Sequence, residues 1–260
     1  MNFDRHGVAE RLARAGSVRA DEEAGALLAA SGDGAALEDL VARRLRGEPL
    51  EWVVGWASFA GRRFALDPGV YVPRPQSEEL ARRAIGARSG RTGGRVVDIG
   101  TGSGALAATI SAAVPSAVVI GTDLDPGAVA CARRNGVVAV RTDLADGLRS
   151  GSFDIVVSVA PYVPTDAIRF LPRDVQDFEP RLALDGGPDG LAVVRRVVAA
   201  AGQLLRPGGQ LLVELGGEQV DALGPDLARL GFTATETWTD GDGDVRGLVS
   251  TRGATSSTGQ

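Results

Sequence analysis

The run Asp98-Ile99-Gly100-Thr101-Gly102-Ser103-Gly104 constrains this chain more than any other stretch. It stands between a short apolar segment, 95–99, and a helical pattern over 104–113. Glycines at alternate positions permit a tight turn and let a ligand approach the backbone. The helix that follows offers unpaired N–H groups at its start. Asp123 ends the next apolar segment, where a carboxylate is placed to accept both hydroxyls of a ribose. A glycine loop can also do no more than turn the chain. Strand, loop, helix and acidic strand end in this order point instead to a nucleotide-type ligand. Gly102, Gly104 and Ala107 also satisfy the Gly-x-Gly-x-x-Ala form of a dinucleotide site, so the loop alone leaves NAD and S-adenosylmethionine (SAM) both open.

Around the loop, strands and helices alternate. Strands are expected over 95–99, 117–123, 137–141, 153–159, 210–215, 232–238 and 245–251, and helices over 104–113, 126–135, 191–205 and 218–230. Pro126 suits a first helical turn. The alternation implies an α/β fold: a doubly wound, largely parallel, seven-stranded Rossmann-like sheet with helices on both faces. Upstream, Val8, Leu12 and Ala15, then Leu37, Leu40, Val41 and Leu45, recur at helical spacing and are interrupted by Ser31-Gly32-Asp33-Gly34. These predict a small helical bundle. From 51 to 75, Trp52, Trp56, Phe59, Phe64 and Tyr71 sit among Gly, Asp and Pro, which reads as extended segments and a hairpin turning at Gly61. Pro73-Arg74-Pro75 leads into a helix from Ser77, with Glu78 and Glu79 in its first turn. The expected division is an N-terminal helical domain over 1–50, a hairpin linker over 51–76, a cofactor-binding domain over 77–252 and a disordered tail over 253–260.

Composition removes several function classes. The chain has one cysteine, Cys131, and one histidine, His6, near its start. An internal disulfide, a His-based metal site and a Ser-His-Asp triad are therefore not expected, and no metal is assigned. The net charge of −5 argues against general nucleic-acid binding. Residues 1–16 carry charges throughout, unlike a signal peptide. No apolar stretch approaches the roughly 18 residues that a membrane span needs. A cytoplasmic location is the expectation.

Two features favour SAM over NAD: the acidic residue Asp98 directly before the glycines, and the end of the fourth strand, Val159-Ala160-Pro161-Tyr162. That strand leads into the crevice where doubly wound sheets bind ligands. Here the chain resembles the HemK/PrmC family, the glutamine methyltransferases of peptide-chain release factors, whose signature at this place is Asn-Pro-Pro-Tyr. The likeness runs along nearly the whole chain: Gly47-Glu48-Pro49-Leu50 with Gly55, Val72-Pro73-Arg74-Pro75 with Glu78, the run 98–104, Asp123, Asp143, Phe178-Glu179-Pro180 with Ala183-Leu184 and Gly186-Gly187, and 204–214.

The resemblance implies SAM as cofactor, held by Gly100, Thr101, Gly102, Ser103, Gly104, Asp123, Asp143, Leu144 and Val159. It implies a release factor as protein substrate, with Val159, Ala160, Pro161 and Tyr162 positioning the glutamine. In the family the Asn side chain and a proline carbonyl hold the amide and the Tyr packs beside it. An amide is a poor nucleophile, so orientation and electrostatic support supply much of the rate. This chain departs from the signature at its head, with Val159 in place of Asn and Ala160 in place of the first Pro. Valine offers no side-chain hydrogen bond. Either other groups hold the amide or the acceptor has drifted to a small molecule or another peptide. A SAM-binding protein without turnover and a nucleic-acid adenine methyltransferase are the remaining alternatives.

Each candidate also has an ordinary reading. Asp123 could cap a helix, Asp143 could be a solvated loop acid, and Tyr162 a core aromatic. Arg74 could meet a ligand carboxylate or pin the segment by an ion pair. Glu179 and Arg181 could cover the pocket or pair with each other. Cys131 reads as a small core residue, Trp52, Trp56 and Phe59 as core, and His6 as surface.

Overall fold

A computed structural model describes residues 4–88 and 92–254. Of the tail expected over 253–260, residues 255–260 lie outside the described residues. The chain starts with α1 (Arg5–Arg14), α2 (Ala20–Ala30) and α3 (Gly34–Leu45). Asp4 and Asp33 accept from Gly7 N and Ala36 N, satisfying first-turn donors of α1 and α3. Val8, Leu12, Leu27, Leu37 and Val41 fill the small core between them. The Arg44–Glu23 ion pair (2.8 Å) lies beside it, nearly out of solvent.

Residues Leu50–Val54 form a short helix, α4, where extended chain was expected. Five residues are too few for a 3.6-residue period to show, and Trp52 and Val53 are buried for different reasons. Val53 closes the small core, while Trp52 donates its indole N–H to Val70 O at 2.9 Å. Gly55 then ends the helix in the left-handed region. The hairpin follows as β1 (Trp56–Phe59) and β2 (Arg62–Ala65), turning at Ala60-Gly61 as the sequence suggests. Phe59 is buried, whereas Trp56 is only half-buried and carries Arg63 over its ring.

The remaining elements build the sheet. In chain order they are α5 (Glu78–Arg88), β3 (Arg95–Ile99), α6 (Ala105–Ala113), β4 (Val118–Asp123), α7 (Pro126–Arg134), β5 (Val138–Arg141), β6 (Phe153–Ser158), α8 (Arg173–Phe178), α9 (Ala192–Leu204), β7 (Leu205–Glu214), α10 (Gly217–Arg229), β8 (Phe232–Thr239) and β9 (Val245–Arg252). The strand order is β5-β4-β3-β6-β7-β9-β8; the first five run parallel, and β9 is antiparallel to both β7 and β8. The α/β, mostly parallel, seven-stranded reading therefore holds.

Alternation along the central strands divides the core. Val96, Ile155, Val157 and Leu212 pack under α5, α6 and α7. Val97, Ile99, Val156, Leu211 and Val213 pack under α9 and α10. A strand covered on both faces is mostly apolar, and β6 is buried at all six positions, its two polar residues being partnered: Asp154 pairs with Arg88 and Arg206, and Ser158 Oγ donates to Ile99 O. Strand β7 starts earlier than expected. Its Arg206-Pro207-Gly208-Gly209 stretch is skipped in the pairing between Phe153↔Leu205 and Ile155↔Gln210, because proline cannot donate to the ladder. Short helical turns over 165–183, including α8, have no counterpart in the sequence reading. The segment is rich in proline and charge and shows no apolar period.

Candidate functional site

Strand order reverses at β3, and a cleft opens beyond the carboxyl ends of β3 and β4. The glycine loop forms its floor. Gly100 N and Thr101 N both donate to Thr122 O, at 2.8 and 2.9 Å, tying the loop to the end of β4. Gly102 N donates to Asp123 Oδ2 at 2.9 Å, and Asp125 N donates to Asp123 Oδ1 at 3.0 Å. Asp123 is thus locked by two backbone bonds and still lines the cleft with lone pairs to spare. Burial raises its pKa, and those two backbone donors oppose the rise.

Asp98 lies deeper and is 1 % exposed. Thr101 Oγ1 donates to its Oδ2 at 2.7 Å, and its Oδ1 has no partner among the described residues. Burial pushes the Asp98 carboxyl up to about 7, with Thr101 pulling against it and Asp123 adding to it. A buried carboxylate oxygen left without a donor is costly, so the wall of this cleft is short of a cation or an N–H group.

Of the residues expected to hold a cofactor, Gly100, Thr101, Gly102, Ser103, Asp123, Asp143, Leu144 and Val159 line the cleft. Asp143 does so as half of an exposed ion pair with Arg196 of α9, at 2.7 Å. Gly104 does not line it. With φ at +79°, a side chain there would place Cβ 2.9 Å from both Ala132 Cβ and Val137 Cγ2. Gly104 therefore serves the close approach of α6 to α7.

A second cavity adjoins the first. Val159, Ala160, Pro161 and Tyr162 line it together with Tyr71, Arg74, Gln76, Asp174 and the chain around Leu184. The two spaces share five residues: Tyr71, Arg74, Val159, Pro161 and Ala183. The Tyr162 hydroxyl donates to Glu214 Oε1 at 3.0 Å, and Tyr162 O accepts from Gln219 Nε2 at 2.8 Å. Glu214 ends β7, beside the end of β6, and is 2 % exposed, with Oε2 unpartnered among the described residues. Burial raises Glu214, and burial with Glu214 nearby raises Tyr162.

Arg74, which lines both cavities, forms an ion pair with the buried Glu179 and also lies over the Tyr71 ring at 5.1 Å. Arg74 makes the ion pair while still lining both cavities, and Glu179 pairs with Arg74 while Arg181 pairs with Asp185. His6 is exposed beside Glu10, and Cys131 is buried with its Sγ 3.3 Å from Ala65 O.

Several residues of the site carried no sequence signal. Asn135 accepts from Ala65 N (2.8 Å) and donates to Ala65 O (2.9 Å) and Ser103 O (2.8 Å), stapling the hairpin to the glycine loop. Gln76 belongs to no motif read above, and Glu214 was read only as the end of the 204–214 stretch, with no role at the site. Their roles depend on elements brought together only by the fold. Among the described residues no cluster of His, Cys, Asp and Glu could hold a metal ion, and no helix is long and apolar enough to cross a membrane.

The cleft suits SAM on its own chemistry. Asp123 offers acceptors to a ribose diol, and the unpartnered Asp98 oxygen suits a cationic amino acid portion. Gly100 and Gly102, both at positive φ, leave room for close approach. Comparisons with known proteins agree. A family profile described as "Methyltransferase domain" matches residues 96–176. The release factor glutamine methyltransferase of Geobacter sulfurreducens is 39% identical over 215 residues, covering 80% of this chain and 75% of the relative. The 4-amino-L-phenylalanine/4-methylamino-L-phenylalanine methyltransferase of Streptomyces pristinaespiralis is 41% identical over 209 residues, covering 76% and 70%. Among solved structures, a methyltransferase from Pyrococcus furiosus shares the fold with a TM-score of 0.54 at 20% identity, covering 83% of this chain and 99% of its own.

Proposed function

This chain belongs to the family of release factor glutamine methyltransferases, and from that premise we propose that it methylates the side-chain amide nitrogen of a glutamine in a peptide-chain release factor. It is a SAM-dependent methyltransferase. When bound, SAM supplies an electrophilic methyl group on a sulfonium. The chain's own residues do the rest. Gly100, Gly102, Asp123 and Asp98 fix and orient the cofactor, and Leu144 and Val159 wall it. Pro161 and Tyr162 present the acceptor to the opening between the two cavities. The ion pair with Glu179 holds Arg74 at the seam between the two cavities.

The observation that carries this reading is the acceptor cavity over Val159-Ala160-Pro161-Tyr162, opening onto the cofactor cleft through five shared residues. The helices α1 to α3 and α4 would help to grip a protein substrate, and the cytoplasm would be the place of action. Incubation with tritiated SAM and purified release factor is expected to label the factor; an unlabelled factor would refute the reading. A second reading is favoured by Val159 alone: an acceptor that donates N–H and needs no carbonyl partner, namely a small amine. Labelled 4-amino-L-phenylalanine in place of labelled factor would establish it.

Asp98 makes the cofactor step pH-dependent. A cationic ligand favours the ionised carboxylate, so binding expels the proton that Asp98 holds below about 7. SAM affinity is therefore expected to rise with pH, by up to about tenfold per unit, and to level off above that pH. In the cofactor-free chain the sign is opposite. A raised carboxyl contributes stability that is present below its ordinary range and lost as pH rises through about 7. SAM titrations from acid to alkaline pH should show the slope in the parent and a flat profile in Asp98→Asn.

A further inference from the structure

The acceptor cavity contains one side chain with the chemistry that position 159 lacks. A primary carboxamide presents a carbonyl acceptor and two N–H donors, so a side chain that grips it must return both a donor and an acceptor. Val159 returns neither. The Tyr162 hydroxyl is spent as a donor on Glu214 Oε1. Arg74 is donor-only and is paired with Glu179, and the Asp174 carboxylate, when ionised, is acceptor-only. Gln76 lines the same cavity, on the turn Pro75–Ser77 at its mouth, and its side chain is exposed to whatever enters. Among the described residues lining the cavity, it alone carries a carboxamide, which sets a carbonyl acceptor and two N–H donors on one planar group, whereas Tyr71 and Tyr162 each offer a single hydroxyl.

We propose that Gln76 holds the acceptor amide in this chain, supplying from the 75–77 turn the paired hydrogen bonds that Val159 cannot supply from β6. The proposal rests on the glutamine-acceptor reading above. The fold supports the geometry from two sides. Ser77, next in sequence, is 4 % exposed and fixed at the start of α5, so the turn that carries Gln76 is anchored. Gln76 also faces the Tyr162 and Glu214 pair. Burial raises both of those groups, and the Gln76 amide draws both back towards their ordinary ranges, as an N–H donor does. The Gln76 amide has a carbonyl oxygen and two N–H groups to offer the substrate.

Position 76 touches the acceptor and not the cofactor, so its removal should separate the kinetic constants. With release factor and tritiated SAM, Gln76→Ala is expected to lower kcat about 30-fold or more, the loss of two amide hydrogen bonds. KM for SAM and the melting temperature should stay at parental values. KM for the factor should change little, because a protein docks through a wider surface than one amide. Gln76→Glu keeps the length but loses the N–H donors, and is expected to stay impaired. The decisive variant is Val159→Asn placed in the Gln76→Ala background, which should restore at least about tenfold of the lost rate by returning an amide from the other side. Parental kcat in Gln76→Ala, or no recovery in the double variant, would overturn the proposal while leaving the glutamine reading intact. A parent that does not label release factor would overturn both.

Discussion

Asp123→Ala is expected to weaken SAM binding about 100-fold or more, because two hydrogen bonds to a charged group are worth about 1.5–3 kcal/mol each and every 1.4 kcal/mol is tenfold. The loss has two parts. A ribose diol loses its carboxylate acceptor in a half-buried cleft. Gly102 N and Asp125 N lose the oxygens that hold the loop and the start of α7 in place. Asp123→Asn should separate these parts, since it keeps an acceptor oxygen for one backbone donor but loses the charge. Calorimetric titration of SAM into parent and variants measures the effect. Affinity within a few-fold of the parent in Asp123→Ala would remove Asp123 from the cofactor site.

Gly104→Val has the second large effect, and it falls on folding. The residue sits at φ +79°, where a branched side chain is strained, and its Cβ would meet Ala132 and Val137 at 2.9 Å. Left-handed strain of about 1–2 kcal/mol and overpacking of about 1–3 kcal/mol act together. The expected cost is about 2–5 kcal/mol, or about 10 °C in melting temperature for a chain of this size. Gly100→Ala is the contrast. Its Cβ would meet no protein atom within 4 Å, so its cost comes from positive φ and from crowding the ligand. Thermal melts with and without SAM distinguish the two: Gly104→Val lowers the melting temperature in both, whereas Gly100→Ala chiefly reduces the rise that SAM produces.

That contrast shows what a sequence can disclose here. The alternation of strands and helices was legible because each parallel strand carries a short apolar run and each covering helix repeats its apolar face. The glycine loop was legible as a loop. The division of labour within it was not, because Gly104 answers to Ala132 and Val137, which the fold brings to it. Helix α4 was missed because a single turn has no period to read. Asp143 was identified through the family resemblance, but its pairing with Arg196 depends on α9 lying beside it. Arg74 finds Glu179 across 105 positions of sequence, and Asn135 finds Ala65 across 70. Polar residues whose partners are this distant belong to no local pattern. Gln76 is the sharpest case, since its neighbours in sequence are a proline and a serine while its neighbours in space are Tyr162 and Glu214.

The narrow seam between the two cavities has a consequence for descent. Among the described residues, only Tyr71, Arg74, Val159, Pro161 and Ala183 face both spaces. A duplicated gene could therefore vary the far wall of the acceptor cavity for many generations without disturbing the glycine loop, Asp98 or Asp123. Two relatives equally distant from this chain, at 39% and 41% identity, carry different acceptors in their names, a protein glutamine in one and an aromatic amino acid in the other. Lineages of such enzymes are expected to diverge at one end of the sheet's crevice and stand still at the other.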